Sequence, residues 1–135
     1  MNDSVFFDTN ILVYAYSSTE LHKQAIARNL INESESFIST QVLQELTNTI
    51  TRKFKFSYED ATNAVEECCK NSSLSINTKE TILLAHGIAS RHNFSFYDSM
   101  IISAALECNC SILYSEDMRD GQVIEKRLTI INPFR

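Results

Sequence analysis

The sequence has no tryptophan, one proline and two glycines, and it contains no long uninterrupted apolar run. Without a stretch rich in glycine, proline or serine that would act as a linker, we expect residues 1–135 to form a single domain. Two isolated glycines, Gly87 and Gly121, cannot build a glycine-rich phosphate-binding loop. The longest early apolar stretch, Ile11–Tyr16, is too short for a secretory signal or a membrane span. We therefore expect a cytoplasmic protein that does not enter a membrane.

Basic residues are also scarce. Lysine and arginine together number 12 against 17 acids, which gives a net charge of −5 and an isoelectric point near 5.1. Affinity for nucleic-acid phosphates normally comes from lysine and arginine, so this balance by itself disfavours a nucleic-acid partner. A local exception is the cluster Arg52, Lys53 and Lys55. These cations either complement the dipole at a helix end or form a small binding patch.

The four cysteines form two close pairs, Cys68 with Cys69 and Cys108 with Cys110. Neither pair has zinc-finger spacing, and thiols stay reduced in the cytoplasm. We therefore interpret the cysteines as small apolar residues rather than as metal ligands or disulfide partners.

Short apolar segments alternate with longer segments of helical periodicity. The pattern predicts strands at residues 4–8, 36–39, 74–76, 111–114 and 128–131. It predicts helices at residues 10–16, 22–31, 42–54, 58–70, 80–92 and 98–107, and a short helix near Val123–Lys126. Strands that alternate with helices pair in parallel through right-handed crossovers, so we expect a three-layer α/β/α sandwich.

Four carboxylates stand at chemically informative places in this pattern. Asp8 ends the first strand, Asp117 follows a later strand, Asp98 opens an apolar helix, and Glu45 lies at the margin of a helical apolar stripe. Functional groups of parallel sheets gather at the carboxyl ends of the strands, where Asp8 and Asp117 should meet. Several carboxylates that converge on hard divalent cations are the requirement for two-metal phosphodiester hydrolysis.

Each of these acids also has a structural interpretation when it is considered alone. Asp8 and Asp98 are both suited to cap a helix. Glu45 would be an ordinary helix surface residue, and Asp117 an ordinary turn aspartate. A metal site is therefore indicated only by their joint arrangement.

The ordered motifs resemble those of PIN-domain endoribonucleases, and within them the VapC-type toxins of toxin–antitoxin pairs. The resemblance covers nearly the whole chain. It rests on the segments Phe7–Leu12, Val42–Glu45, Tyr97–Ile101 and Leu113–Met118.

The resemblance implies a cytoplasmic ribonuclease that needs Mg²⁺ or Mn²⁺, built on a central parallel sheet of about five strands. The implied catalytic and metal-binding residues are Asp8, Glu45, Asp98 and Asp117, with Thr9, Asn10 and Ser115 in support. The implied partners are an RNA substrate, a cognate antitoxin and a second copy of the chain. Two extra acids, Glu116 and Asp120, depart from the pattern, and either is a candidate to share the role of Asp117.

We expect Asp8, Asp98 and Glu45 to hold one cation and Asp117 to complete a second site. One alternative is a non-enzymatic RNA- or partner-binding module with a degenerate site. Another is a haloacid-dehalogenase-like phosphatase, which also has an aspartate after its first strand. That family needs a second aspartate two residues later, where this sequence has Asn10.

Overall fold

The structure, a computed structural model, describes residues 4–135, and the elements are numbered within that range. The strands are Val5–Phe7 (β1), Ser36–Ser39 (β2), Ser73–Ser75 (β3), Ile112–Tyr114 (β4), Val123–Ile124 (β5) and Leu128–Ile131 (β6). The helices are Thr9–Ala15 (α1), Leu21–Glu33 (α2), Thr40–Arg52 (α3), Tyr58–Asn71 (α4), Lys79–His92 (α5) and Phe96–Glu107 (α6). Every element predicted from periodicity is present except the last short helix.

The strands form one sheet in the order β3-β2-β1-β4-β6-β5, and every pairing is parallel except that of β5 with β6. The crossovers from β1 to β2 and from β2 to β3 run toward one edge of the sheet. The crossover from β3 to β4 returns across the sheet. Because such crossovers are right-handed, α1 to α4 cover one face and α5 with α6 cover the other. The predicted three-layer α/β/α sandwich is confirmed.

The prediction of a short helix near Val123–Lys126 is wrong. Val123 and Ile124 instead pair with β6 as an antiparallel hairpin, so the sheet is mixed and has six strands rather than about five parallel ones. Glu125 and Lys126 form the turn with φ angles of 52° and 58°, and the Arg127 amide donates to the Ile124 carbonyl at 3.1 Å. Such a turn is normally signalled by Asn-Gly or a similar pair, which is absent here.

The core confirms the predicted helix faces. Val42, Leu46 and Ile50 of α3 are fully buried, and α6 is buried from Ser99 to Leu106, as its apolar composition predicted. The predicted caps of α4 and α5 are also present, since the hydroxyls of Ser57 and Thr78 accept amide hydrogen bonds. Among residues 4–135, no helix combines the length and the apolar character that crossing a membrane requires.

The path of the chain creates a crevice beside β1. From β1 the chain moves outward to β2 and β3, and it then returns to β4 on the other side of β1. Open α/β sheets bind ligands where the direction of winding reverses, outside the carboxyl ends of the strands. Here that point lies between the ends of β1 and β4, where the Asp8 amide donates to the Tyr114 carbonyl at 3.0 Å.

Candidate active site

The four carboxylates predicted from sequence line one cleft of about 550 Å³ at this crevice. Asp8 lies between β1 and α1, and Glu45 lies in the second turn of α3. Asp98 lies in the first turn of α6, and Asp117 follows β4. Because α3 and α6 lie on opposite faces of the sheet, the cleft joins both helical layers at the carboxyl edge.

Asp8 is buried and held on both carboxylate oxygens. One oxygen accepts the Thr9 amide at 2.7 Å, and the other accepts the Ser115 hydroxyl at 2.7 Å. Asp8 is the N-cap of α1, so its capping role and its place in the cleft coexist. Thr9 and Ser115 were both predicted to support the site. Ser115 follows β4 and Asp8 follows the neighbouring strand β1, so their side chains lie close enough to contact.

Glu45 points into the cleft from α3 rather than into solvent. Its Oε1 accepts the Thr9 hydroxyl at 2.5 Å, and its Oε2 accepts the Gln41 amide group at 3.3 Å. The same Gln41 nitrogen donates to the Tyr97 carbonyl at 3.2 Å, next to Asp98. Gln41 therefore links the α3 carboxylate to the start of α6.

Asp98 is not the cap of α6. The helix begins at Phe96, two residues earlier than predicted, and Ser95 is its N-cap, with a hydroxyl that accepts the Asp98 amide at 3.2 Å. The capping interpretation of Asp98 is therefore wrong. Its half-buried carboxylate faces the charges of Glu45 and Asp117.

Asp117 is oriented by Asn10, the other predicted supporting residue. The Asn10 amide group donates to the Asp117 carboxylate at 3.0 Å, and the Asn10 oxygen accepts the Glu116 amide at 3.3 Å. The first turn of α1 thus holds the loop after β4, although the two segments are more than 100 residues apart in sequence.

The surroundings of Asp8 and Asp98 in the cleft disfavour the ionised form of their carboxyl groups. Burial raises the pKa of Asp8 to about 6, and the nearby charges of Glu45 and Asp98 add to the rise, against hydrogen bonds from Ser115 and Thr9 that lower it. Burial also raises the pKa of Asp98, with repulsion from Asp117 and Glu45. A bound cation would relieve this repulsion.

The residues fit a hard divalent cation by their chemistry rather than by a ready-made cage. Within residues 4–135, no three Asp, Glu, His or Cys side chains are grouped closely enough to hold a metal ion. Three of the four are instead engaged by neighbours: Asp8 by Thr9 and Ser115, Glu45 by Thr9, and Asp117 by Asn10. The four carboxylates supply oxygen ligands of the kind that Mg²⁺ prefers. The buried Gln41 Oε1, which accepts no hydrogen bond from the described residues, adds another such oxygen.

The two extra acids are engaged elsewhere. Glu116 lines the cleft, but its carboxylate accepts the Tyr14 hydroxyl at 2.5 Å and the Lys23 ammonium at 2.5 Å. Burial by itself would raise the pKa of Glu116, yet the hydrogen bonds from Lys23 and Tyr14 outweigh it and lower the pKa. Asp120 lies outside the lining of the cleft, and it accepts the Asn132 amide at 2.8 Å.

Sequence reasoning missed Gln41, Tyr14 and Lys23. Gln41 precedes Glu45 by four residues, so it lies on the same helix face, and this spacing is a usable signal. Tyr14 follows Asn10 by the same interval. Lys23 has no comparable local signal, because its partner Glu116 is 93 residues away.

Solved structures with the same fold come from toxin–antitoxin systems. VapC20 of Mycobacterium tuberculosis, a toxin that cleaves the sarcin-ricin loop, is 17% identical with a TM-score of 0.69 over 84% of this chain and 89% of its own. A toxin–antitoxin complex from Klebsiella pneumoniae is 14% identical with a TM-score of 0.72, over 96% of this chain and 97% of its own. VapBC2 from Rickettsia felis, bound to a DNA fragment of its promoter, is 17% identical with a TM-score of 0.63, over 96% of this chain and 99% of its own. At these identities the likeness shows the fold.

No curated protein sequence matches this chain. The profile of the PIN domain family matches residues 5–123, which include all four carboxylates of the cleft. This match spans most of the chain and confirms the resemblance seen in the motifs. The chain belongs to the PIN domain family.

Proposed function

We propose that this protein is an endoribonuclease that depends on Mg²⁺ or Mn²⁺ and acts as the toxin of a toxin–antitoxin pair. The observation that carries the proposal is the convergence of Asp8, Glu45, Asp98 and Asp117 in one cleft. Membership of the PIN domain family supports it, as does the fold shared with VapC20, which is itself a toxin that cleaves the sarcin-ricin loop.

In this proposal Asp8, Glu45 and Asp98 hold one cation, and Asp117 completes a second site. Bound divalent ions would activate water for attack on phosphorus and stabilise charge on the leaving oxygen. The protein contributes the orientation of the ligands. Ser115 fixes Asp8, and Asn10 fixes Asp117. Thr9 links the Asp8 cap to Glu45, so the ligands are coupled before substrate binds.

The residues that line the cleft support an RNA strand as its substrate. Gln41, Glu45, Asn48 and Lys53 line it along one side of α3. Lys53 follows Glu45 by eight residues, which corresponds to about 12 Å along a helix. With its scissile phosphate at the acidic end, a strand would place a neighbouring phosphate near Lys53. This arrangement reconciles an acidic protein with a polyanionic substrate, because the bound cations and Lys53 supply the positive charge.

The proposed protein partner is an antitoxin. The similar structures from Klebsiella pneumoniae and Rickettsia felis are toxin–antitoxin complexes, which supports such a partner. Formation of a homodimer and a cytoplasmic location stay predictions of the family resemblance.

A cleavage assay tests the function. The purified protein should cut a fluorescently labelled single-stranded oligoribonucleotide in Mg²⁺ or Mn²⁺ and stop in EDTA. Asp8→Asn and Asp98→Asn should each lower the rate by about a hundredfold or more, because each removes a proposed metal ligand. The matched control is Asp120→Asn, an acid outside the cleft, which should retain the activity of the unmodified protein. Undiminished cleavage by Asp8→Asn, or in EDTA, would remove the metal site from the reaction.

One observation favours a second candidate, a non-enzymatic module with a degenerate site. The carboxylates are engaged by neighbouring side chains, and no three acids within residues 4–135 form a ready metal cluster. Calorimetric titration with Mn²⁺ separates the two proposals. A nuclease should bind Mn²⁺ in a way that Asp8→Asn weakens, whereas a degenerate site should show no carboxylate-dependent binding. The phosphatase alternative receives no support, because Asn10 stands where that class needs an aspartate and instead orients Asp117.

A further inference from the structure

Two adjacent acids after β4 have opposite surroundings. Asp117 is exposed and is held at the cleft by Asn10, a neutral side chain. Glu116 is held by a cation and a hydroxyl, since Lys23 and Tyr14 each donate to one of its carboxylate oxygens. The negative charge of Glu116 is therefore balanced where it stands, and that of Asp117 is not balanced by any described cation within ion-pair distance.

The cation that balances Glu116 is itself held in place. The Lys23 ammonium lies 4.7 Å from the centre of the Tyr14 ring and 5.6 Å from that of Phe134, and it donates to the Tyr14 hydroxyl at 3.2 Å. The two rings pack edge to face with their centres 4.9 Å apart. About a third of the Lys23 side chain and a quarter of that of Glu116 are exposed, so water screens this pair less than a fully exposed one.

We propose that Lys23 is a positioning residue that keeps Glu116 out of the acidic cluster, so that Asp117 is the only one of these two acids that serves the cation site. This inference rests on the proposed function. Lys23 comes from α2, which supplies none of the four carboxylates, and it neutralises the one additional acid on the loop after β4 that lines the cleft. A second free carboxylate at this point would add negative charge and compete for the ion.

An ordinary structural ion pair would behave differently. If Lys23 only tied α2 to the loop, its loss would lower stability and would change cation affinity by the same factor whether residue 116 is a glutamate or a glutamine. If it restrains Glu116, its loss adds an unbalanced charge beside the cleft and raises cation affinity. A divalent ion and a single negative charge about 8 Å apart in water interact by about 1 kcal/mol, so an unbalanced carboxylate beside the cleft is expected to change affinity several-fold.

The experiment measures the dissociation constant of Mn²⁺ by calorimetry in the full chain. Lys23→Met keeps the apolar stem against the Tyr14 and Phe134 rings and removes the charge. We expect it to bind Mn²⁺ about three- to tenfold more tightly. Lys23→Arg should bind like the unmodified protein, because it keeps the charge. The double variant Lys23→Met with Glu116→Gln should bind Mn²⁺ like the single variant Glu116→Gln, because no carboxylate remains at residue 116 for Lys23 to restrain.

The outcomes separate this inference from the proposed function. If the unmodified protein binds no Mn²⁺, the proposed function fails. If it binds Mn²⁺ and Lys23→Met binds equally well, only the positioning role fails. If the double variant binds Mn²⁺ more tightly than Glu116→Gln alone, the charge of Lys23 acts on the cation directly and not through Glu116, and the positioning role is again wrong. Should Lys23→Met fail to fold, Lys23→Leu, which is uncharged and unable to donate to Glu116, decides the same question.

Discussion

At the scale of the residue, Asp8 combines demands that oppose each other. As the N-cap of α1 it favours folding, because it accepts an amide that would otherwise lack a partner. As a buried carboxylate near Glu45 and Asp98 it disfavours folding when it is ionised. Its pKa of about 6 is the net result of burial and these charges, which raise it, and of its hydrogen bonds, which lower it. The proposed function explains why the chain keeps a charge there, since an asparagine could cap the helix but would be a poorer cation ligand.

The raised pKa of Asp8 predicts how metal-free stability depends on pH. The folded state binds the Asp8 proton more tightly than the unfolded state, whose pKa is the ordinary 3.8. The contribution of Asp8 to stability is therefore complete below about pH 4 and is lost as the pH rises through about 6. Asp8→Asn should consequently unfold with a free energy higher by about 1–3 kcal/mol at pH 7.5 in EDTA, and this difference should vanish near pH 4.

Urea denaturation at several pH values checks this prediction. In Asp8→Asn the new side-chain oxygen would still accept the Thr9 amide, and the new nitrogen would face the Ser115 hydroxyl, so the fold should be retained. Asp60→Asn, which changes an exposed acid in α4, serves as the control. Its free energy of unfolding should differ from that of the unmodified protein by the same amount at pH 4 and at pH 7.5. A less stable Asp8→Asn protein at pH 7.5 in EDTA would contradict the interpretation of Asp8 as a strained carboxylate.

At the scale of the element, the β5–β6 hairpin is the clearest departure from local preference. Glu125 and Lys126 both adopt a left-handed conformation that L-residues with side chains disfavour. Contacts to α5 explain why this left-handed turn is retained, because the Glu125 carboxylate pairs with Arg91 at 2.9 Å and with His92 at 2.8 Å. Ile124, fully buried beside the turn, adds apolar contact.

Lys126→Gly should stabilise the protein. Glycine adopts the left-handed conformation without steric cost, and Lys126 is exposed, so little contact is lost. We expect a gain of about 0.5–1 kcal/mol in the free energy of unfolding, measured by thermal or urea denaturation. The comparison is Lys70→Gly in the last turn of α4, where the same change should destabilise by up to about 1 kcal/mol. Destabilisation by Lys126→Gly would show that the Lys126 side chain supports the turn.

At the scale of the whole molecule, the site exists because of sheet order. The chain winds outward from β1 and then returns to β4, which places the ends of these two strands side by side. Glu45 reaches the crevice from one helical layer and Asp98 from the other, and the loop after β4 supplies Asp117. A cation held by these ligands would join both layers to the sheet.

Divalent cations should therefore stabilise the entire fold. A ligand that binds only the native state, present at one hundred times its dissociation constant, adds about 2.7 kcal/mol to the free energy of unfolding. We expect Mn²⁺ to raise the melting temperature by several degrees, and the rise should disappear in the double variant Asp8→Asn with Asp98→Asn. Asp120→Asn should keep it. An equal rise in the double variant would mean that Mn²⁺ binds elsewhere.

The sequence by itself determined the elements other than β5, and the list of candidate ligands. Period-two and period-3.6 patterns, together with the Ser57 and Thr78 caps, depend on residues only a few positions apart, so they are visible without tertiary structure. The alternation of strands and helices then limited the topology to a parallel three-layer sandwich. The order of the four acids pointed to the PIN domain family, and the strand ends predicted that Asp8 and Asp117 would meet.

The tertiary structure alone decided how each acid is used. Thr9 contacts Glu45 across 36 positions, Asn10 contacts Asp117 across 107, and Lys23 contacts Glu116 across 93. No local pattern encodes such pairs, because they arise only when the sheet order brings distant segments together. The same applies to the β5–β6 turn, where contacts to α5 override the preference of Glu125 and Lys126. Asp117 and its neighbour Glu116 therefore differ because the fold brings different side chains to each of them, and not because of their spacing along the chain.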